Sequence, residues 1–104
     1  MQQDKAFIDK LTAIVLENLH NENFGVNELA AKTGVSRYVI HRKLKSTNYR
    51  NISRFIREIR LKRAMELLQQ HAGTASEIAF QVGFGSPAYF NKCFHEYYGF
   101  TPGE

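Results

Sequence analysis

The sequence predicts an all-α protein, built as two helix-turn-helix subdomains joined by a long central linker helix. Three observations carry this. No stretch shows sustained alternation of apolar and polar residues, the period of two that a half-buried strand requires. A short pattern of apolar, small and glycine residues occurs twice, about 50 positions apart. Between the copies, residues 52–71 contain no Gly or Pro and are rich in Arg, Leu, Ala, Met, Glu and Gln, all good helix formers.

The long stretch organises the rest. At about 100° per residue, Ile52, Phe55, Ile56 and Ile59 fall on one side of a helix. Leu61, Ala64, Met65 and Leu68 fall on nearly the opposite side. A surface helix ordinarily buries one face against one core. A face that changes sides halfway is explained if each half docks on a different small core, with Ile59 and Leu68 anchoring different lobes. Burial all round is opposed by Arg54, Arg57, Glu58, Arg60, Lys62 and Arg63. The expected organisation is residues 1–51 as an N-terminal helix plus the first lobe, 52–71 as connector and 72–104 as the second lobe.

Taken in order, residues 7–19 carry a helical apolar stripe that ends near Asn21 and Asn23. A short helix over 26–33 is stopped by Gly34. Ser36 caps a third helix running to about Thr47, and Asn51 caps the connector. Thr74 and Glu77 have the spacing of a capping box, opening a short helix ended by Gly83. Ser86-Pro87, a cap followed by proline at the first helical position, opens a helix to about Tyr98, terminated by Gly99.

The internal repeat aligns Leu29-Ala30 and Gly34-Val35 with Ile78-Ala79 and Gly83-Phe84 at an offset of 49. From Ser36 and Ser86 onward the offset becomes 50, pairing Ile40 with Phe90, Arg42 with Lys92 and Leu44 with Phe94. The second copy therefore has one extra turn residue. A small residue lets two helices cross closely, and a glycine four positions later turns the chain between them.

At 104 residues and 43% hydrophobic the chain holds one modest domain with very small lobes. One cysteine excludes an internal disulfide and fits a reducing compartment. There is no signal-type run and no membrane-spanning length, so a cytoplasmic protein without membrane contact is expected. Arg37, Arg42, Lys43, Lys45, Arg50, Arg54, Arg57, Arg60, Lys62 and Arg63 are ten of the 14 basic residues, opposed within their span only by Glu58. Such concentrated like charge points to a polyanionic partner.

In the third helix Val39, Ile40 and Leu44 face inward, while Tyr38, His41, Arg42 and Lys45 project outward with Arg37 at the N-terminal edge. Placed in a DNA major groove, Arg42 can engage guanine O6 and N7, His41 a base edge and Tyr38 a thymine methyl or a phosphate. Arg37 and Lys45 suit phosphates. In the last long helix Tyr89, Phe90, Cys93, Phe94 and Tyr97 form the expected inward stripe, leaving Ala88, Asn91, Lys92 and His95 outward. Asn91 can pair with adenine and Ala88 can touch a thymine methyl, but Lys92 is the one full positive charge on this face. The second unit should read DNA more weakly.

Catalysis has no support. Cys93 and His95, two residues apart on a helix, point about 200° from each other and cannot act together. His20, His41 and His71 are too scattered for a metal site, no glycine-rich loop cradles phosphates, and no cofactor is expected.

The motif Arg60-Leu61, Ala64 and Leu67-Leu68, followed by Ile78-Ala79, Val82-Gly83-Phe84, Tyr89-Phe90, Phe94, Gly99 and Thr101-Pro102, resembles the DNA-binding domain of AraC/XylS-family bacterial transcription regulators. The first unit matches through Leu29-Ala30, Ser36, Ile40, Arg42 and Leu44-Lys45. The resemblance covers nearly the whole chain, and residues 7–45 look most like the C-terminal output domain of hybrid two-component regulators. It implies recognition helices over 36–47 and 86–98 in successive major grooves. Carried over by position, base contacts fall on Tyr38, His41 and Arg42, and on Pro87, Ala88, Asn91 and Lys92. The DNA-binding set expected in full adds Ser36, Arg37, Lys45, Ser86 and His95. Gly25 departs from the capping Ser common in the family, so the first short helix should start loosely. Members usually continue past Thr101-Pro102 into a last helix, so a trimmed piece of a longer protein is expected, with its sensory or dimerisation domain elsewhere. RNA polymerase remains open as a partner.

Two other readings fit the charge alone. A DNA-packaging protein would use the basic stretch without two differing recognition faces. A helical protein–protein adaptor would bind an acidic partner and show no base preference.

Overall fold

The structure, a computed structural model, describes residues 2–49 and 51–103, with side chains from residue 5 onward. Arg50, counted above in the basic run, lies outside the described residues. These contain six α-helices and no strand: α1 (Gln2–Glu17), α2 (Val26–Thr33), α3 (Arg37–Leu44), α4 (Ile52–Gln69), α5 (Ala75–Gln81) and α6 (Pro87–Tyr98). The chain divides into two compact units, Met1–Asn18 with Phe24–Ile59, and Leu19–Asn23 with Arg60–Glu104. The division passes through α4 between Ile59 and Arg60, and returns the loop after α1 to the second unit.

The first unit buries Leu11 and Val15 of α1, Leu29 of α2, Ile40 and Leu44 of α3, and Ile52, Phe55, Ile56 and Ile59 of α4. Its helix starts are built from local hydrogen bonds. Ser36 Oγ accepts from the Val39 N–H at 3.3 Å, and Asn51 Oδ1 from the Arg54 N–H at 2.8 Å. Gly25 offers no side-chain cap, but Glu28 Oε1 accepts from the Gly25 N–H at 2.9 Å, supplying half of a capping box. The start of α2 is thus tied rather than loose.

In the first unit the ends of α1 and α3 fall short of expectation. α1 stops at Glu17, before the expected end near Asn21 and Asn23, and Asn18 Nδ2 donates to the Ile14 carbonyl at 2.8 Å. α3 stops at Leu44 rather than Thr47. Ser46 Oγ donates to the Lys43 carbonyl at 2.8 Å and Thr47 Oγ1 to the Leu44 carbonyl at 2.6 Å. These hydroxyls compete for carbonyls that a longer helix would use, which apolar periodicity does not register.

The second unit buries Leu61 and Ala64 of α4, Ile78 and Ala79 of α5, Val82 and Phe84 of the turn, and Phe90, Cys93 and Phe94 of α6. Met65 and Leu68, expected in the same stripe as Leu61, are only half-buried. The Thr74–Glu77 capping box is present in both directions, at 2.9 and 3.2 Å. Ser86 Oγ accepts from the Tyr89 N–H at 3.1 Å, with Pro87 opening α6 and Gly99 closing it in the left-handed region.

α4 ends at Gln69, two residues before the expected His71. His71 itself takes a left-handed conformation, φ 55°, although Gly73 stands nearby. The Ala72 N–H bonds to the Leu67 carbonyl and the His71 N–H to that of Leu68, the paired closure of a Schellman motif. α5 closes likewise, Phe84 N–H to Ala79 and Gly83 N–H to Phe80. In the first unit the Gly34 N–H bonds to the Ala30 carbonyl alone. The two turns also differ in space. A Cβ on Gly34 would meet nothing within 4 Å, whereas one on Gly83 would collide with the Arg60 guanidinium and the Leu19 carbonyl.

Candidate nucleic-acid interface

α3 separates its faces by helical geometry. Ile40 and Leu44 are fully buried, and Tyr38, Arg42 and Lys45 lie on the opposite side, exposed. Tyr38 is 72% exposed, and the Arg42 guanidinium carbon sits 5.8 Å from its ring centroid. Arg37, also exposed, donates from Nη1 to Asn27 Oδ1 of α2 at 3.2 Å. Ser36 is exposed with its hydroxyl engaged in the cap. The first turn carries no acidic residue, so the positive end of the helix dipole and Arg37 add in sign.

His41 differs from expectation. It lies about 100° round the helix from Ile40, at the edge of the buried face, and is only half-exposed. Its Nε2 is buried without a hydrogen-bond partner among the described residues, in a groove lined by Arg37, Tyr38, Asn51, Ile52 and Ser53. The ring therefore borders the exposed face instead of projecting from it.

On α6, Ala88, Asn91, Lys92 and His95 are exposed, and Ser86 and Pro87 half-buried at the start. The expected inward stripe is narrower than the sequence implied. Phe90, Cys93 and Phe94 are buried, but Tyr89 is 48% and Tyr97 37% exposed. Tyr89, one residue before Phe90, is about 100° off its axis and rests on Phe84 at 5.7 Å. Tyr97, in the last turn, lies edge-on against Tyr98 at 4.8 Å. Tyr98, absent from the expected stripe, stacks near Phe94 at 4.7 Å, and its hydroxyl donates to the Leu61 carbonyl at 3.4 Å. Burial raises the Tyr98 pKa, with Tyr97 and Glu66 adding to it. Glu96 is exposed beside Lys92 and His95, so this face is the less positive of the two.

The basic run is not one surface. Arg54 pairs with Glu58 at 3.4 Å, Arg63 with Glu66 at 3.7 Å, and Lys43 Nζ lies 5.3 Å over the Phe7 ring. Arg60 is 5% exposed. Its guanidinium donates to the carbonyls of Leu19, Val82 and Asn21, the last two at 2.6 and 3.0 Å. Burial lowers its pKa. Charge counting put Arg60 in the basic run that points to a polyanionic partner, and the structure makes it an internal strut. Its carbonyl partners lie 22 to 41 positions away, so helical periodicity within α4 carries no signal of this role.

Among the described residues no group of three or more His, Cys, Asp or Glu could hold a metal ion, and no helix is long and apolar enough to cross a membrane.

Residues 29–104 match a family model described as a helix-turn-helix domain. The chain belongs to this AraC-type helix-turn-helix family. Across 101 residues the AraC-type chain is 41% identical to a protein named Histidine kinase P4 of Formosa agariphila, spanning 97% of this chain but 7% of that protein. It is 34% identical over 95 residues to the HTH-type transcriptional regulator GbdR of Pseudomonas aeruginosa, 91% of this chain and 26% of GbdR. In structure it is similar to the DNA-binding domain of the global transcriptional factor AdpA, solved in complex with a target DNA. The TM-score is 0.78 at 28% identity, covering 91% of this chain and 85% of that one. It is also similar to the C-terminal domain of the two-component response regulator yesN from Fusobacterium nucleatum. There the TM-score is 0.77 at 26% identity, covering 90% and 91% of the two chains.

Proposed function

We propose that this chain binds double-stranded DNA sequence-specifically as the output segment of a bacterial transcription regulator. The observation that carries the reading is the exposed face of α3, where Tyr38, Arg42 and Lys45 stand on a helix-turn-helix unit behind a capped, acid-free N-terminus. Arg42 reads a guanine, Arg37 and Lys45 hold phosphates, and the α6 face of Ala88, Asn91, Lys92 and His95 adds weaker contacts. Ser36 and Ser86 act mainly by capping the two helices. The AdpA complex supports DNA as the ligand, and the yesN likeness supports a two-component setting.

The histidine-kinase name belongs to a protein of which this chain matches 7%, so kinase activity is not carried over. The relatives' greater length supports placing signal reception and dimerisation outside this segment.

The test is selection from random duplexes at physiological salt, followed by a salt titration on the winner. About six phosphate contacts give a slope of log K against log salt of roughly −5. Enrichment of a defined site with such a slope is the expected result. No enriched site, or a flat response, defeats the reading in favour of packaging or of an acidic protein partner.

A further inference from the structure

Resting on the DNA-binding reading, we infer that Tyr38 is a positioning residue for Arg42, holding its guanidinium over the phenol ring so that the fork is pre-aimed at the base edge. The sequence alone suggests that Tyr38 touches DNA itself, through a thymine methyl or a phosphate. The geometry favours a different division of labour. Tyr38 and Arg42 are four positions apart, so their side chains share one strip of the outer face of α3. The Arg42 guanidinium carbon lies 5.8 Å from the ring centroid, within the range of a cation–π contact.

Arg42 has no ion pair with a carboxylate among the described residues, unlike Arg54 and Arg63. An unheld arginine has many rotamers, and ordering it on binding costs affinity. The Tyr38 ring restricts Arg42 before the DNA arrives without consuming its hydrogen-bond donors. A carboxylate partner would occupy the same N–H groups that engage guanine O6 and N7. The ring contact leaves them open. The second unit has Ala88 and Lys92 at the corresponding positions, so it has neither the ring nor the planar fork. This deepens the expected inequality of the two recognition faces.

The experiment compares base-substitution scans of the selected site for the wild type, Arg42→Ala, Tyr38→Phe, Tyr38→Leu and Tyr38→Leu/Arg42→Ala. The position whose preference relaxes in Arg42→Ala is the one Arg42 reads. At that position Tyr38→Phe, which keeps the ring and loses the hydroxyl, should stay within twofold of wild type. Tyr38→Leu should weaken the preference about two- to fivefold, the size of an exposed cation–π contact. Adding Tyr38→Leu to Arg42→Ala should change nothing further there. Tyr38→Phe behaving like Tyr38→Leu would make the hydroxyl the contact and overturn the inference. So would an effect of Tyr38→Leu at a different base position, or an equal loss on all sequences. A wild type with no base preference would instead sink the DNA-reading proposal itself. Circular dichroism melts should coincide, because Tyr38 is 72% exposed.

Discussion

Arg60 Nη1 donates to the carbonyl of Val82 at 2.6 Å, so a buried cation in α4 ties down the turn that closes α5. The same guanidinium reaches the carbonyls of Leu19 and Asn21, holding the loop after α1 within the second unit. Arg60→Ala leaves several carbonyls without this donor and should cost about 2–5 kcal/mol. Arg60→Lys should recover little, because one ammonium on a flexible stem cannot span what the planar fork spans. Thermal melts of both variants check this, and full recovery by lysine would contradict the strut.

Reading and anchoring should separate on α3. Arg42→Ala is expected to cost about 1–3 kcal/mol and to relax preference at one base position. Lys45→Ala should weaken binding to all sequences alike and make the salt slope shallower by about one. Identical behaviour of the two in a base-substitution scan would refute these roles.

The acid side of the stability curve should report Glu77. Its carboxylate accepts the Thr74 backbone N–H at 2.9 Å, and this hydrogen bond holds its pKa below the ordinary value. A depressed folded pKa means the contribution is complete above the ordinary glutamate value of 4.5 and is lost as pH falls through the lower folded value. Glu77→Gln keeps a hydrogen-bonding cap but does not titrate. Melts from neutral to acid pH should show the wild type losing more stability than the variant. Parallel curves would remove Glu77 from the acid response.

The two apolar faces of α4 should fail separately. Ile59→Ala and Leu61→Ala each truncate a buried side chain and should cost about 2–5 kcal/mol. Leu68→Ala should cost less, since Leu68 is half-buried. Residue-resolved hydrogen exchange should show Ile59→Ala loosening mainly Phe24–Ile59, and Leu61→Ala mainly Arg60–Glu104. Equal loosening of both units by each variant would mean a single cooperative core.

What the sequence made legible were features decided within one turn of chain. Ser36, Asn51, Thr74 with Glu77, and Ser86-Pro87 announce helix starts because each cap bonds an N–H three residues on. The Ile40/Leu44 face, and with it the outward Tyr38, Arg42 and Lys45, follows from the same short period. What stayed hidden depends on partners distant in sequence. Arg60 reads as one more cation until the carbonyls of Leu19 and Val82, 41 and 22 positions away, surround it. Tyr89 and Tyr97 read as core aromatics, and Tyr98 takes the inward role through Leu61, 37 positions away. His41, at the face boundary, is assigned by the neighbouring groove rather than by periodicity.

The glycines at 34 and 83 share one sequence signature but not one degree of freedom. At Gly34, φ 72°, open space means that a side chain pays only a backbone penalty of about 1–2 kcal/mol. At Gly83, φ 87°, a methyl group has nowhere to go, because Arg60 and Leu19 already fill the place. Mutational drift therefore has unequal room in the duplicated halves. A library randomised at both turns should return asparagine and other tolerant residues at 34, and glycine alone at 83, making the first turn the adjustable one for anyone redesigning the protein.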